Sequence, residues 1–268
     1  MKTKNILLII GIIIVMVLIG YLVYGYYEKL KYDNVENPTA TIEVQDFGTI
    51  ILELYPDIAP NTVTNFIALA NNGFYDGLTF HRISKDFMIQ GGDIKGDGSG
   101  SPTLSAINKN IEEGSSEDKE YNIEGEFIAN GYKANNLRHE RGVISMARQD
   151  YSSIGSEIVT EGYNSEGSQF FIMTKDTASL NGLYSAFGKV TEGMEVVDAI
   201  SNVEIDKSEN ENSETPVEAP IITSIRVDTH GKDYGMPKTK EPFDYTSWMM
   251  KKYYSSGKNS SDSIEVEN

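Results

Sequence analysis

Residues 80–93 read FHRISKDFMIQGGD, which places Arg82 a few residues before Phe87, Met88 and Gln90 and ends the run at a Gly-Gly turn. A second stretch, Gly167-Ser168-Gln169-Phe170-Phe171, repeats the pairing of one amide with large apolar groups. If both stretches are extended, side chains two apart share a face. Met88 then lies beside Gln90, Gln169 beside Phe171, and Phe170 points the other way into the core. Such a surface holds a fixed cation, Arg82, at the rim of an apolar slot. It can donate hydrogen bonds and positive charge to a bound group, and it has nothing to attack with. No GxSxG nucleophile motif and no paired-carboxylate geometry accompany it.

Composition narrows the chemistry further. The 268 residues hold no cysteine, which excludes disulfides, thiolate catalysis, cysteine zinc sites and lipid attachment at an N-terminal cysteine. A net charge of −17 argues against nucleic acid as a partner, because phosphate binding needs a surplus of Lys and Arg. His81, His139 and His230 lack metal-ligand spacing, and structural roles are expected of them. GDGSGS at 96–101 has no following lysine for a phosphate loop, and Asp93 with Asp97 does not fit a calcium loop. No metal and no cofactor is expected.

The elements that must carry this surface follow from periodicity. Thr41 to Leu54 alternates apolar residues on both sides of Asp46-Phe47-Gly48, a hairpin. Val63, Phe66, Ile67 and Ala70 fall on one helical face; Pro60 suits its first turn and Gly73 closes it. Residues 96–126 read as a long surface loop. Strands are expected at Gly142–Ala147, Gln169–Thr174, Ala186–Val190 and Ile221–Val227, with a second short helix across Glu192–Val203. Residues 201–218 are acidic and polar, and no internal repeat is present. Many short strands and two helices predict a mainly β fold, a closed antiparallel barrel.

Ile6 to Tyr24 carries no charge over 19 residues. As a helix it would span roughly 28 Å, near the hydrocarbon thickness of a bilayer. Tyr21, Tyr24, Tyr26 and Tyr27 gather at one end, as interfacial aromatics do. The run is long for a secretory signal and no small-x-small cleavage site follows it, so an uncleaved anchor is expected. Lys2 and Lys4 precede the span and Lys29 and Lys31 follow it, a near balance. The short basic leader places the rest of the chain outside the cell membrane as a single-pass protein. The expected organisation is therefore an anchor at 1–27, a stalk at 28–38, a folded domain at 39–234 and a polar tail at 235–268, in which Trp248-Met249-Met250 is partly packed.

Four segments in order and spacing, FHRISKDFMIQGGD, RGVISMAR at 141–148, NSEGSQFFI at 164–172 and FGKV at 187–190, make residues 39–230 resemble the cyclophilin-type peptidyl-prolyl cis-trans isomerases. EGEFIANGY at 124–132 resembles bacterial members. The resemblance implies an eight-stranded barrel with a helix closing each end, and proline-containing polypeptides as substrates. It implies Arg82 as the catalytic arginine and Phe87, Met88, Phe171 and Leu180 as walls of the proline pocket. Gln90 and Gln169 would hold the substrate backbone, and Ala147 with Arg148 would form the strand that pairs with it. Three positions depart from many eukaryotic members: Ser179 stands for a tryptophan, Tyr184 for a pocket histidine and Arg148 for an asparagine. Ser179 puts cyclosporin binding in doubt, since the tryptophan donates to that drug. The implied activity is rotation of X-Pro bonds in exported proteins. The alternative is a tethered module or chaperone that binds proline segments and turns them over incidentally.

Overall fold

The computed structural model describes residues 11–25, 36–107, 118–208 and 210–259. Residues 11–25 form helix α1, with every side chain exposed. No helix among the described residues is long and apolar enough to cross a membrane. Residues 6–10 of the expected span lie outside the described residues, as do 28–35 of the stalk, 108–117 of the long loop, 209, and 260–268 of the tail.

The hairpin forms as its alternation requires: β1 (Thr39–Val44) pairs antiparallel with β2 (Gly48–Leu54), and every second residue is buried. Asp46 and Gly48 take positive φ in the turn, at 61° and 117°. Helix α2 (Pro60–Asn71) buries Val63, Phe66, Ile67 and Ala70. Its first residue has no side-chain cap of its own. The donors of its first turn that lack an intrahelical acceptor are met from far along the chain: the Glu126 carboxylate accepts from Asn61 N at 3.0 Å, Thr62 N at 2.8 Å and Thr62 Oγ1 at 2.8 Å.

The remaining strands are β3 (Arg82–Ser84), β4 (Met88–Gly91), β5 (Val143–Met146), β6 (Phe170–Met173), β7 (Ala186–Glu192) and β8 (Ile222–Asp228). Short helices α3 (Leu104–Ile107) and α4 (Val159–Tyr163) sit in connections, and α5 (Met194–Ser201) matches the second helix read from the sequence. One antiparallel sheet of eight strands results, in the order β3-β4-β6-β5-β7-β2-β1-β8.

The closed barrel expected from the sequence is corrected here: β3 and β8 are the edges of a curled, open sheet. A single Thr79–Ile221 bridge spans the seam, where Phe80 N donates to Pro220 O at 2.9 Å and Ile222 N to Leu78 O at 2.7 Å. The physical reason is the shortness of β3. The outer N–H of Ile83 turns instead to Glu214 O at 2.7 Å, so a loop rather than a strand covers that edge.

Residues of β4, β5 and β6 are buried on both faces. Ile89, Ile144, Phe170 and Ile172 join α2 in the main core inside the curl. Met88, Val143, Phe171, Met173 and Ala186 form a smaller cluster on the other face. That outer cluster is the base on which the site is built. From Gly235 the chain lies against the barrel, with Lys240 and Asn122 exchanging backbone hydrogen bonds at 2.8 and 2.9 Å. It ends in helix α6 (Tyr245–Asn259).

Candidate active site

Strand register brings the polar members of the site together. Arg82 pairs with Gln90 across β3–β4, and Gln90 pairs with Phe171 across β4–β6. The turn between β3 and β4 is tight: Phe87 N donates to Ser84 O at 3.1 Å, and Asp86 takes a φ of 58°. Arg82 Nη1 donates to Gln90 Oε1 at 3.1 Å, and Gln90 Nε2 donates to Gln169 Oε1 at 3.0 Å. Gln169 Nε2 in turn donates to the carbonyls of Gly98 at 3.0 Å and Gly100 at 3.1 Å. Each amide thus has its oxygen toward the guanidinium side and its NH2 away from it. The relay runs in one direction and fixes both flips.

Beside this relay lies a cavity of about 200 Å³ lined by Arg82, Phe87, Met88, Gln90, Ala147, Arg148, Phe171, Leu180 and Tyr184. Nine of the ten residues read as site candidates from the sequence line it; the tenth, Gln169, is tied to it through Gln90. Phe171 and Tyr184 meet edge to face at 5.5 Å between ring centroids. Such a pair holds a wall in one shape. Behind them His139 stacks on Phe171 at 6.1 Å and abuts Tyr184 at 6.2 Å. Ser145 Oγ and His139 Nε2 share a hydrogen bond at 3.0 Å. Burial lowers the His139 pKa from 6.5 to about 4, with the Asn181 amide partly offsetting it, so the ring is neutral near pH 7. The structural role expected of this histidine is what the contacts display. His81 is buried while its neighbour Arg82 faces outward.

Arg148 is held more firmly than a surface arginine. Its guanidinium carbon lies 4.6 Å from the Tyr184 ring centroid, 4.8 Å from Tyr163 and 5.5 Å from Phe127. Nε donates to Leu183 O at 3.0 Å and Nη1 to Gln149 O at 2.9 Å. The side chain therefore braces the rim, and Ala147 N donates to Gln169 O at 2.8 Å within the sheet.

Four neighbours escaped the sequence reading. Glu214 Oε2 accepts from Arg82 Nε at 2.6 Å. Pro242 and Phe243, from the C-terminal segment, line a second cavity of about 320 Å³ that shares Gln90, Ala147 and Arg148 with the first. Phe243 packs on Tyr151 at 6.0 Å, and Tyr151 stacks on Tyr245 at 5.4 Å. Tyr151 also lines this second cavity, and nothing in local periodicity marks any of these residues.

Comparison with known proteins identifies the family. Residues 39–227 match the family described as cyclophilin type peptidyl-prolyl cis-trans isomerase/CLD. Peptidyl-prolyl cis-trans isomerase B of Bacillus subtilis is 38% identical over 164 residues, covering 61% of this chain and 91% of its own. The isomerase cyp18 of Streptomyces antibioticus is 34% identical over 197 residues, covering 70% and 98%. A solved cyclophilin-type isomerase from Cryptosporidium parvum superposes with a TM-score of 0.55 at 29% identity, over 71% of this chain and 96% of that one. The same protein crystallised in the presence of the dipeptide Ala-Pro gives 0.54. With its four motifs on one curled sheet and a family match across residues 39–227, the chain belongs to the cyclophilin-type peptidyl-prolyl cis-trans isomerases.

Proposed function

We propose that Arg82 is the catalytic group of this isomerase and that the 200 Å³ cavity grips the proline ring. The observation that carries this reading is the relay from Arg82 through Gln90 and Gln169, set at the mouth of a slot walled by Phe87, Met88, Phe171, Leu180 and Tyr184. A peptide bond before proline rotates over a barrier of about 20 kcal/mol because its nitrogen lone pair is delocalised. Halfway through rotation that lone pair returns to nitrogen. A guanidinium proton aimed there makes a bond that the planar ground state does not offer, which lowers the barrier instead of merely tightening binding. A charge-assisted hydrogen bond of about 1.5–3 kcal/mol corresponds to roughly tenfold to 100-fold in rate. The pocket holds the ring still while the preceding residue turns. Gln90 and Gln169 hold the flanking backbone. The Ala-Pro dipeptide used with the Cryptosporidium relative supports proline as the group recognised.

The second part of the reading is location. Residues 6–24 anchor the chain in the cell membrane, and the domain works outside on exported proteins, where uncatalysed isomerisation takes tens of seconds. Support comes from the uncharged run and from α1, whose apolar side chains are all exposed. The test has two arms. The full-length chain in detergent is assayed for prolyl-peptide isomerisation beside its Arg82→Ala variant; a loss of tenfold or more in kcat is expected, and an unchanged rate refutes the role of Arg82. Protease added to intact cells should digest the domain, and full protection refutes the outward orientation.

A further inference from the structure

We infer that Glu214 is a positioning residue for the isomerisation, holding Arg82 in the orientation that donates to the substrate nitrogen; this rests on the reading of Arg82 above. Arg82 sits on an edge strand with its side chain 45% exposed. An arginine so exposed samples many rotamers, and each one away from the slot is unproductive. Two contacts on different edges of the guanidinium remove that freedom. Gln90 Oε1 takes Nη1 at 3.1 Å from the barrel side, and Glu214 Oε2 takes Nε at 2.6 Å from the other. Among the described residues nothing accepts from Nη2, the edge left for substrate.

Glu214 is itself delivered with unusual firmness for a loop residue. Ile205 and Pro216 form a bridge, Asp206 N donates to Thr215 O at 2.8 Å, and Val217 N donates to Glu204 O at 2.9 Å. These make a short hairpin out of the acidic stretch. That hairpin is fastened to β3 by Ile83 N donating to Glu214 O at 2.7 Å. One residue therefore closes the open edge of the sheet with its backbone and clamps the neighbouring arginine with its side chain. Because the backbone bond survives any side-chain change, the clamp can be removed without freeing the hairpin. A carboxylate beside a cation also weakens the field that the cation projects. The two effects oppose each other in rate, and the variants separate them.

The experiment measures kcat and KM for a prolyl peptide with the full-length chain carrying Glu214→Ala, Glu214→Gln, Arg82→Ala, and Arg82→Ala with Glu214→Ala. Glu214→Ala is expected to lower kcat about tenfold, short of the roughly 100-fold that a 1 Å misplacement costs, with KM within twofold of wild type. Glu214→Gln, whose amide oxygen still accepts from Nε, should recover kcat to within about threefold of wild type. Glu214→Ala should do nothing further in the Arg82→Ala background, which a general structural loss would not reproduce. Three outcomes overturn the inference: an unchanged Glu214→Ala enzyme, a Glu214→Gln enzyme as slow as the alanine variant, or variants faster than wild type. If Arg82→Ala keeps the wild-type rate, the catalytic reading itself fails. If Arg82→Ala is slow and Glu214→Ala is not, the clamp alone fails.

Discussion

Acidifying the protein should loosen it through a single histidine behind the Phe171–Tyr184 wall of the cavity. His139 is 1% exposed and its pKa falls from 6.5 to about 4 on folding, because burial disfavours the charged ring. The folded state therefore binds fewer protons than the unfolded chain between those two values. The sign follows: the stability His139 contributes is complete above pH 6.5 and is lost as the pH falls toward 4. Between pH 7.5 and 4.5 the loss is about 2–3 kcal/mol, equivalent to about 5–10 °C in melting temperature for a domain of this size. Glu166 works against it. That carboxyl is fully buried, accepts from Ser185 Oγ at 2.6 Å, and has its pKa raised well above the usual value, chiefly by burial and also by the neighbouring Glu126 charge. The raw pH profile of the wild type mixes the two, so the informative quantity is the difference from His139→Gln, whose amide can still partner Ser145 Oγ. Urea unfolding of both full-length proteins, followed by circular dichroism at pH 7.5, 6.0 and 4.5, gives that difference directly. The wild type's advantage over the variant should shrink as the pH falls, because the variant loses less stability. Parallel slopes, or a His139 titration by NMR with a midpoint near 6.5, would refute the reasoning.

Two further outcomes are expected. Since Glu166 carries a raised pKa, its contribution is present in acid and is lost as the pH rises above about 4.5; Glu166→Gln should therefore flatten the alkaline side of the stability profile and melt higher than wild type at pH 8, as read by thermal unfolding. Phe243→Ala should enlarge the second cavity, changing the ranking of kcat/KM among peptides that differ at residues flanking proline by about threefold to tenfold, while hydrolysis-free turnover of a minimal Ala-Pro peptide, read by NMR exchange, stays within twofold.

Much of this site was legible because its members sit on strands. Period two alone put Met88 with Gln90 and Gln169 with Phe171, and it sent Phe170 to the core, where it lies. The hairpin and α2 followed from alternation and from the 3.6-residue spacing in the same way. What could not be read depends on distant partners. Counting strands cannot say whether the two edge strands meet, and a three-residue β3 leaves it apart from β8. The Arg148 cage gathers Phe127, Tyr163 and Tyr184 from three separate segments. Tyr245 and Trp248 are three apart on α6, but their partner Tyr151 lies far earlier in the chain, so a stretch that reads as polar tail conceals the aromatic contacts that seat it there. Glu214 lies in a run that reads as solvated acid, and only the fold places its carboxylate on Arg82.

The kind of residue that stays hidden follows from the kind of reaction. Isomerisation makes and breaks no covalent bond, so it needs no nucleophile whose motif would announce itself in sequence. On the reading proposed above it needs one donor held at one angle, and angles are set by neighbours: two amides in register, a buried neutral imidazole behind a wall, a carboxylate on an edge loop. On the proposed mechanism, Arg82 free to rotate would have the same charge and the same sequence context, yet it would meet the pyramidal nitrogen in a small fraction of encounters. On that reading rate is distributed over positioning contacts, each modest, and a change at Glu214, which touches Arg82 and not substrate, should register in kcat before it registers in binding.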